Sequence, residues 1–273
     1  MAEPVLNPRK SAFALPPGAC DVHCHVYGKG TQFPALDAER LSAHHRHFGF
    51  ERAVIVQVRP DARAVTTEAL AASKGRYRGV ALVDDTATEK DIEALHAAGF
   101  RGVRFTFVAH LGGAPDLIVV RRVLDRIRPF GWHVTFLIDP ADLLINLELL
   151  RAIRSPFVID HMGRVRAEDG VAQPGFQALL ELARRDNGWV KLSGPDRIST
   201  SGPPFHDALP FAHALIAAAP DRVVWGTDWP HPNNRWKPDD ADLVELLPLI
   251  APDPAQRQKL LVDNPARLYG FTS

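Results

Sequence analysis

The chain has 273 residues, 46% of them hydrophobic and 23% charged, the balance of a soluble globular protein with a substantial core. Its 32 basic side chains offset its 32 acidic ones. A net charge of zero argues against a nucleic-acid or membrane-surface partner, since both rely on accumulated positive charge.

The N-terminal stretch MAEPVLNPRKSAFALPPGAC has no apolar run long enough for a signal peptide, and no later stretch approaches a membrane span. A cytoplasmic protein is expected, with residues 1–17 as a Pro-rich leader. Strand candidates then follow at 19–25, 53–58, 79–83, 102–107, 133–138, 156–160, 189–193 and 222–228, each a short apolar run bounded by Gly, Pro or Asp. Helix-period sequence lies between them at 37–48, 62–73, 88–98, 116–128, 141–153, 174–185 and 205–218, and after the last at 239–250. A further helix is expected near 254–268. Cys20 and Cys24 share the first strand, roughly 13 Å apart at about 3.3 Å per residue, too far for a disulfide. They are expected as reduced packing thiols.

Eight strand-then-helix units imply a parallel sheet, and eight is the number that closes a (β/α)8 TIM barrel. An open doubly wound sheet competes less well, because no glycine-rich phosphate loop follows the first strand. No linker or repeat divides the chain, so one α/β domain over residues 1–273 is expected. In such a barrel the chemistry sits at the C-terminal ends of the strands.

The first strand ends in DVHCH, where His23 and His25 are two residues apart and share one face. The sixth ends in FVIDHMGR, with His161 one step beyond it, and the eighth delivers Asp228 in VVWGTDWPHPN. Converging imidazoles and a carboxylate suit either a metal ion or the polarisation of a substrate carbonyl. His44, His45 and His47 crowd the first helix and read as surface residues, whereas His96, His133 and His213 read as structural. Arg59, Arg104 and Arg197 lie at or near strand ends, with His110 in the loop after the fourth strand. Arginine grips carboxylates bidentately, so this mouth is expected to take a small anionic substrate. Tyr27 and His231, which flank the first- and eighth-strand motifs, complete the expected substrate-binding set.

With these stretches assembled, the chain resembles the amidohydrolase superfamily. Within it, the chain is similar to the amidohydrolase-2 branch, which includes 2-pyrone-4,6-dicarboxylate lactonase and related sugar-acid lactonases. GACDVHCHVYG, RGVRFTFV, VIDHMGR, VKLSGPDRIS and RVVWGTDWPHPN carry the resemblance, in the family's order over residues 18 to 233. It implies that Asp228 is the general base on water, that His23, His25 and His161 polarise a lactone carbonyl, and that Arg104 and Arg197 bind substrate oxygens. The branch's pyrone-dicarboxylate enzymes also carry a second arginine after strand four and a tyrosine in strand five. Here His110 stands near the first place, and Phe136 and Leu137 occupy the second. The resemblance therefore implies a lactonase whose substrate it does not name.

In the superfamily that the chain resembles, binuclear members carry a bridging lysine or glutamate from strand four and another histidine from strand five. GVRFTF has neither acid nor lysine, and His133 lies at the opposite end of its strand. No cofactor is obligatory on this basis; the alternative is one zinc or manganese ion on His23, His25 and Asp228. Competing expectations are a metal-dependent decarboxylase, a lactone isomerase, or a non-catalytic small-molecule binder.

Overall fold

The computed structural model describes residues 5–28, 33 and 36–272, so the first four residues of the leader lie outside the described residues. Eight strands form one parallel sheet in chain order: β1 (Cys20–Cys24), β2 (Arg52–Val56), β3 (Tyr77–Ala81), β4 (Phe100–Thr106), β5 (His133–Leu137), β6 (Phe157–Ile159), β7 (Gly188–Lys191) and β8 (Val223–Val224). The chain after β8 closes the ring onto β1. Val22 N–H donates to Trp225 O, Asp228 N–H to His23 O, and His25 N–H to Trp229 O. The architecture is the (β/α)8 barrel that the eight alternating units predict.

Around it run α1 (Ala38–Phe48), α2 (Arg63–Ala72), α3 (Glu89–Ala97), α4 (Leu117–Ile127), α5 (Pro140–Ile145), α6 (Leu147–Ala152), α7 (Pro174–Arg184) and α8 (Pro195–Ile198). They are followed by α9 (Leu209–Ala218), α10 (Asp240–Glu245), α11 (Leu247–Ile250), α12 (Pro254–Gln258) and α13 (Asn264–Tyr269). Their starts follow local chemistry. Asp37 and Asp116 accept from backbone N–H groups one turn in, and Thr88 with Asp91 forms a reciprocal capping box. In α4, Val120, Val123 and Ile127 turn to the barrel while Arg121 and Arg122 face water. No helix of the described residues is long and apolar enough to cross a membrane.

One buried cluster combines Val22, Val54, Val56, Val80, Val158 and Val224 with Tyr269 and Phe271 near the C-terminus. The other joins Ile55, Val103, Phe136 and Ile159 to helix residues such as Leu41, Val123, Leu179 and Leu215. Strands covered on both sides read as continuous apolar runs, which is why the sequence shows no alternation there.

Several elements differ from expectation. The helix expected over 141–153 is two, meeting at Asn146, and that over 239–250 divides at Leu246. The stretch 205–218 opens with a 3-10 turn, His206–Ala208, and becomes α-helical at Leu209. The C-terminal helix continues through one wide turn, Lys259–Asp263. α8 was not anticipated; Gly194 in left-handed backbone (φ 79°) followed by Pro195 starts it. β8 has only two residues, and four residues beyond it, at Asp228, the backbone enters the left-handed region at φ 66°.

The register between β1 and β2 shifts between Asp21 and Cys24, inserting one extra residue. This bulge breaks simple alternation. Asp21 accepts from His45 of α1 (3.3 Å) and from Thr227 Oγ1 (2.6 Å), whereas His23 and His25 reach Lys191 and Asp228. Gly226 permits the closure: a Cβ there would lie 2.4 Å from His23 N. The surface assignment of His44 and His45 is overturned, since both are buried. His44 Nε2 lies 2.8 Å from Asp240 Oδ2, and His45 Nδ1 lies 2.9 Å from Tyr77 Oη. Both cysteines are free and buried.

Candidate active site

A cavity of about 580 Å³ opens at the C-terminal ends of the strands. His25, Tyr27, Arg59, Arg104, His110, His161, Arg197 and Asp228 line it, together with Arg164, Asn233 and the apolar Val58, Leu82 and Leu137. Among the described residues, four arginines thus line the cavity with one carboxylate.

Asp228 stands at the centre of the polar contacts. Its Oδ1 lies 3.1 Å from His25 Nε2, 3.5 Å from His23 Nε2 and 3.9 Å from His161 Nε2. Its Oδ2 accepts from Arg197 Nε at 2.5 Å, and the same guanidinium donates to Pro232 O at 2.9 Å. Burial works to raise the Asp228 carboxyl, but Arg197, His161, His25 and His23 more than offset it and hold it well below the usual carboxylate range. The residue is ionised at neutral pH.

Each imidazole around it has its far nitrogen committed. His25 Nδ1 is 2.7 Å from Val56 O, and a carbonyl only accepts, so Nδ1 carries a hydrogen. His161 Nδ1 pairs with Ser193 Oγ at 3.0 Å. His23 Nδ1 lies 3.2 Å from Lys191 Nζ, which also reaches Asp160 Oδ1 at 3.1 Å. Arg104 Nε is 3.3 Å from Asp160 Oδ2. Burial pushes His23 down to about 3 and His161 well below its ordinary value, so both rings are neutral at pH 7.

The backbone is strained where these groups gather. His161, Met162 and Arg164 have φ of 49°, 50° and 51°, and Asp228 and His231 have 66° and 59°. Non-glycine residues in that region cost on the order of 1–3 kcal/mol each and concentrate at functional sites.

Two expected residues stand elsewhere. His231 is not among the lining residues; its ring is held between Asp196 (3.3 Å) and Asp240 (3.0 Å). Burial lowers His231, but Asp240 and Asp196 outweigh it and bring it to about 10, so it is a buried imidazolium. His23 is fully buried behind the cavity wall. Arg59 and His110 sit at the exposed rim, Arg59 paired with Asp61 at 3.2 Å. Tyr27 is buried, which raises its phenol, so it stays protonated.

The structure adds Arg164, whose Nε lies 2.5 Å from Asp139 Oδ1, and the buried set Asp160, Lys191 and Ser193. Their signals were in plain view. Arg164 closes the same DHMGR stretch that holds His161, and Lys191 is a lysine inside an apolar strand, a position that demands a partner.

Ligand atoms of His23, His161 and Asp228 lie within 4.8 Å of one another, as do those of Asp21, Cys24 and His45. The first set replaces His25 of the expected metal triad by His161. Its spacing suits one divalent ion; its charge does not. Lys191, Arg104 and Arg197 already set three positive charges against the carboxylates of Asp160 and Asp228, and Arg197 occupies Asp228 Oδ2. In the second set Asp21 is used by His45, Thr227 and the backbone of His23.

The Amidohydrolase family model, Amidohydro_2, matches residues 20–271. A 2-pyrone-4,6-dicarboxylate hydrolase of Comamonas testosteroni is 41% identical over 286 residues, covering 96% of this chain and 93% of that protein. A 4-sulfomuconolactone hydrolase of Rhizobium radiobacter is 40% identical over 275 residues, covering 95% and 92%. A crystal structure of an Agrobacterium tumefaciens protein superposes with a TM-score of 0.81 at 34% identity, covering 95% of this chain and 98% of that one. With a family match from β1 to the C-terminus and such relatives along nearly its whole length, the chain belongs to the amidohydrolase family, in its Amidohydro_2 branch.

Proposed function

We propose that this protein is a lactonase, opening the cyclic ester of a small substrate that carries a carboxylate or similar anion. The observation that carries this is Asp228 Oδ1, an ionised oxygen flanked by three imidazoles beside an arginine-rich cavity. The named substrates of the two relatives, a pyrone dicarboxylate and a sulfonated muconolactone, are both anionic lactones and fit such a cavity.

Water held at Asp228 attacks the lactone carbonyl, and the carboxylate takes its proton. The oxyanion that forms is stabilised by imidazole N–H and the Arg104 guanidinium. The ring C–O bond then breaks, and the alkoxide recovers the proton from Asp228, giving a ring-opened hydroxy acid. No step requires a metal, and a lactone is an activated ester for which a carboxylate base suffices.

Arg197 gives the site a way to tune its base. In the free protein it clamps Asp228 Oδ2 and keeps that carboxyl a weak base. A substrate anion that draws the guanidinium away raises the basicity of Asp228 as the substrate arrives. The test is a pH-indicator hydrolysis screen over pyrone carboxylates, muconolactones and sugar lactones, with products analysed after reaction in ¹⁸O water. One heavy oxygen in the new carboxylate is expected. Ring transposition without label, or no turnover across the three classes, would overturn the proposal.

A further inference from the structure

Lys191 lies on β7 with no exposed surface, an ammonium taken wholly out of water. Burying such a charge costs several kcal/mol unless it is closely paired. Two partners meet it: Asp160 Oδ1 at 3.1 Å and His23 Nδ1 at 3.2 Å. Asp160 is shared with Arg104, at 3.3 Å through its other oxygen. Burial works to raise Asp160, but Lys191, His23 and Arg104 outweigh it and keep the carboxylate ionised.

An ammonium has three hydrogens and no lone pair, so toward a neutral imidazole it only donates. If Lys191 donates to His23 Nδ1, that nitrogen holds the lone pair and the ring hydrogen must sit on Nε2. His23 Nε2 is buried, has no partner at hydrogen-bond distance among the described residues, and points at Asp228 Oδ1 from 3.5 Å. We propose that Lys191 is a positioning residue that fixes His23 as its Nε2–H tautomer, making it a donor toward Asp228 instead of a metal ligand. The chain Asp160–Lys191–His23 then presents one hydrogen to the base and leaves no lone pair at the one atom of His23 that faces the reaction centre. A divalent ion at the His23, His161 and Asp228 cluster would need that lone pair. This deepens the lactonase proposal and rests on it for its catalytic consequence.

The tautomer is readable without any substrate. Histidine ¹⁵N–¹H correlation spectra of the labelled wild-type protein, assigned with His23→Gln, should show a protonated Nε2 and an unprotonated Nδ1 for His23. In Lys191→Met the other neighbour of Nδ1, Asp160 Oδ1 at 3.5 Å, draws the hydrogen to that nitrogen and the pattern inverts. Zinc added alone should then bind Lys191→Met at one equivalent and the wild type at none. Lys191→Gln, whose amide can still donate, should keep the wild-type spectrum. The lactone hydrolysis rate should fall at least ten-fold in Lys191→Met and less in Lys191→Gln. Lys191→Met/Asp160→Asn, which removes both charges of the pair, guards against a result due to misfolding. A wild-type His23 protonated on Nδ1, or stoichiometric zinc in the wild type, would overturn the proposal. Either spectrum stands whether or not a lactone is ever turned over, so failure here is distinct from failure of the lactonase proposal.

Discussion

Arg197 and Asp228 form a close ion pair in the barrel mouth. Nε of the arginine, carried on α8, is 2.5 Å from Oδ2 of an aspartate held at φ 66° just past β8. The pair joins the loops after the seventh and eighth strands, and it leaves Oδ1 alone to face the histidines. Its consequences can be measured.

Replacing Asp228 by Asn keeps the shape and removes the proposed base. General acid–base catalysis contributes about a hundred- to ten-thousand-fold, so kcat should fall by at least that order. Circular dichroism and kcat on one sample decide it; an Asp228→Asn variant retaining most of its activity would place the base elsewhere.

Arg197→Met should raise the Asp228 carboxyl, because Arg197 is the largest influence holding it down. Activity needs the ionised form, so the acid limb of the kcat/KM profile should move to higher pH. Arg104→Met removes a cavity cation tied to Asp160 instead of Asp228. It should chiefly raise KM, by roughly ten- to a hundred-fold for a hydrogen bond to a charged group. Identical effects from the two variants would contradict this division.

Stability should fall on both sides of neutrality. His231 is raised in the folded protein to about 10, so its contribution is complete below its unfolded value near 6.5 and is lost as pH rises toward 10. His23 and His133 are depressed to about 3, so they contribute above 6.5 and lose that contribution as pH falls toward 3. Tm measured from pH 4 to 10 should trace this dome, and His231→Gln should flatten its alkaline side. An unchanged alkaline slope in that variant would remove His231 from the account.

Gly226→Ala tests the closure of the barrel. The added Cβ would meet His23 N at 2.4 Å and Asp21 Oδ1 at 2.8 Å, backbone and a bonded carboxylate that cannot yield cheaply. Overpacking typically costs about 1–3 kcal/mol, and the shift falls on the seam carrying His23 and Asp228. Both Tm and kcat should drop; a variant with wild-type values of both would show that the seam relaxes.

The eightfold alternation, the strand ends and the residues at them were legible in the sequence alone. Strand and helix periods are local properties, and in a barrel of successive units local order dictates the global arrangement. The groups around Asp228 belong to motifs that announce themselves: two histidines on one strand, DHMGR, and a strand cut short at WGTDWP. Periodicity indicates which way a residue faces, not what it meets. Lys191 meets His23 across the closed barrel and Asp160 just past the neighbouring β6, His231 meets Asp196 and Asp240 from the loop after β8, and His45 meets Asp21 where α1 packs on β1, all contacts that no period in the sequence specifies. A single inserted residue in β1 decides that Asp21 turns toward α1 while His23 turns inward, and alternation alone would have placed them on one face. Protonation followed the same rule. His23 and His231 are both buried histidines near the barrel mouth, yet the first, with the Lys191 ammonium beside it as well as Asp160 and Asp228 at 3.5 Å, is neutral, and the second, held by Asp196 and Asp240, is charged. Burial penalises charge in either place, and only the three-dimensional neighbours determine whether that penalty is outweighed.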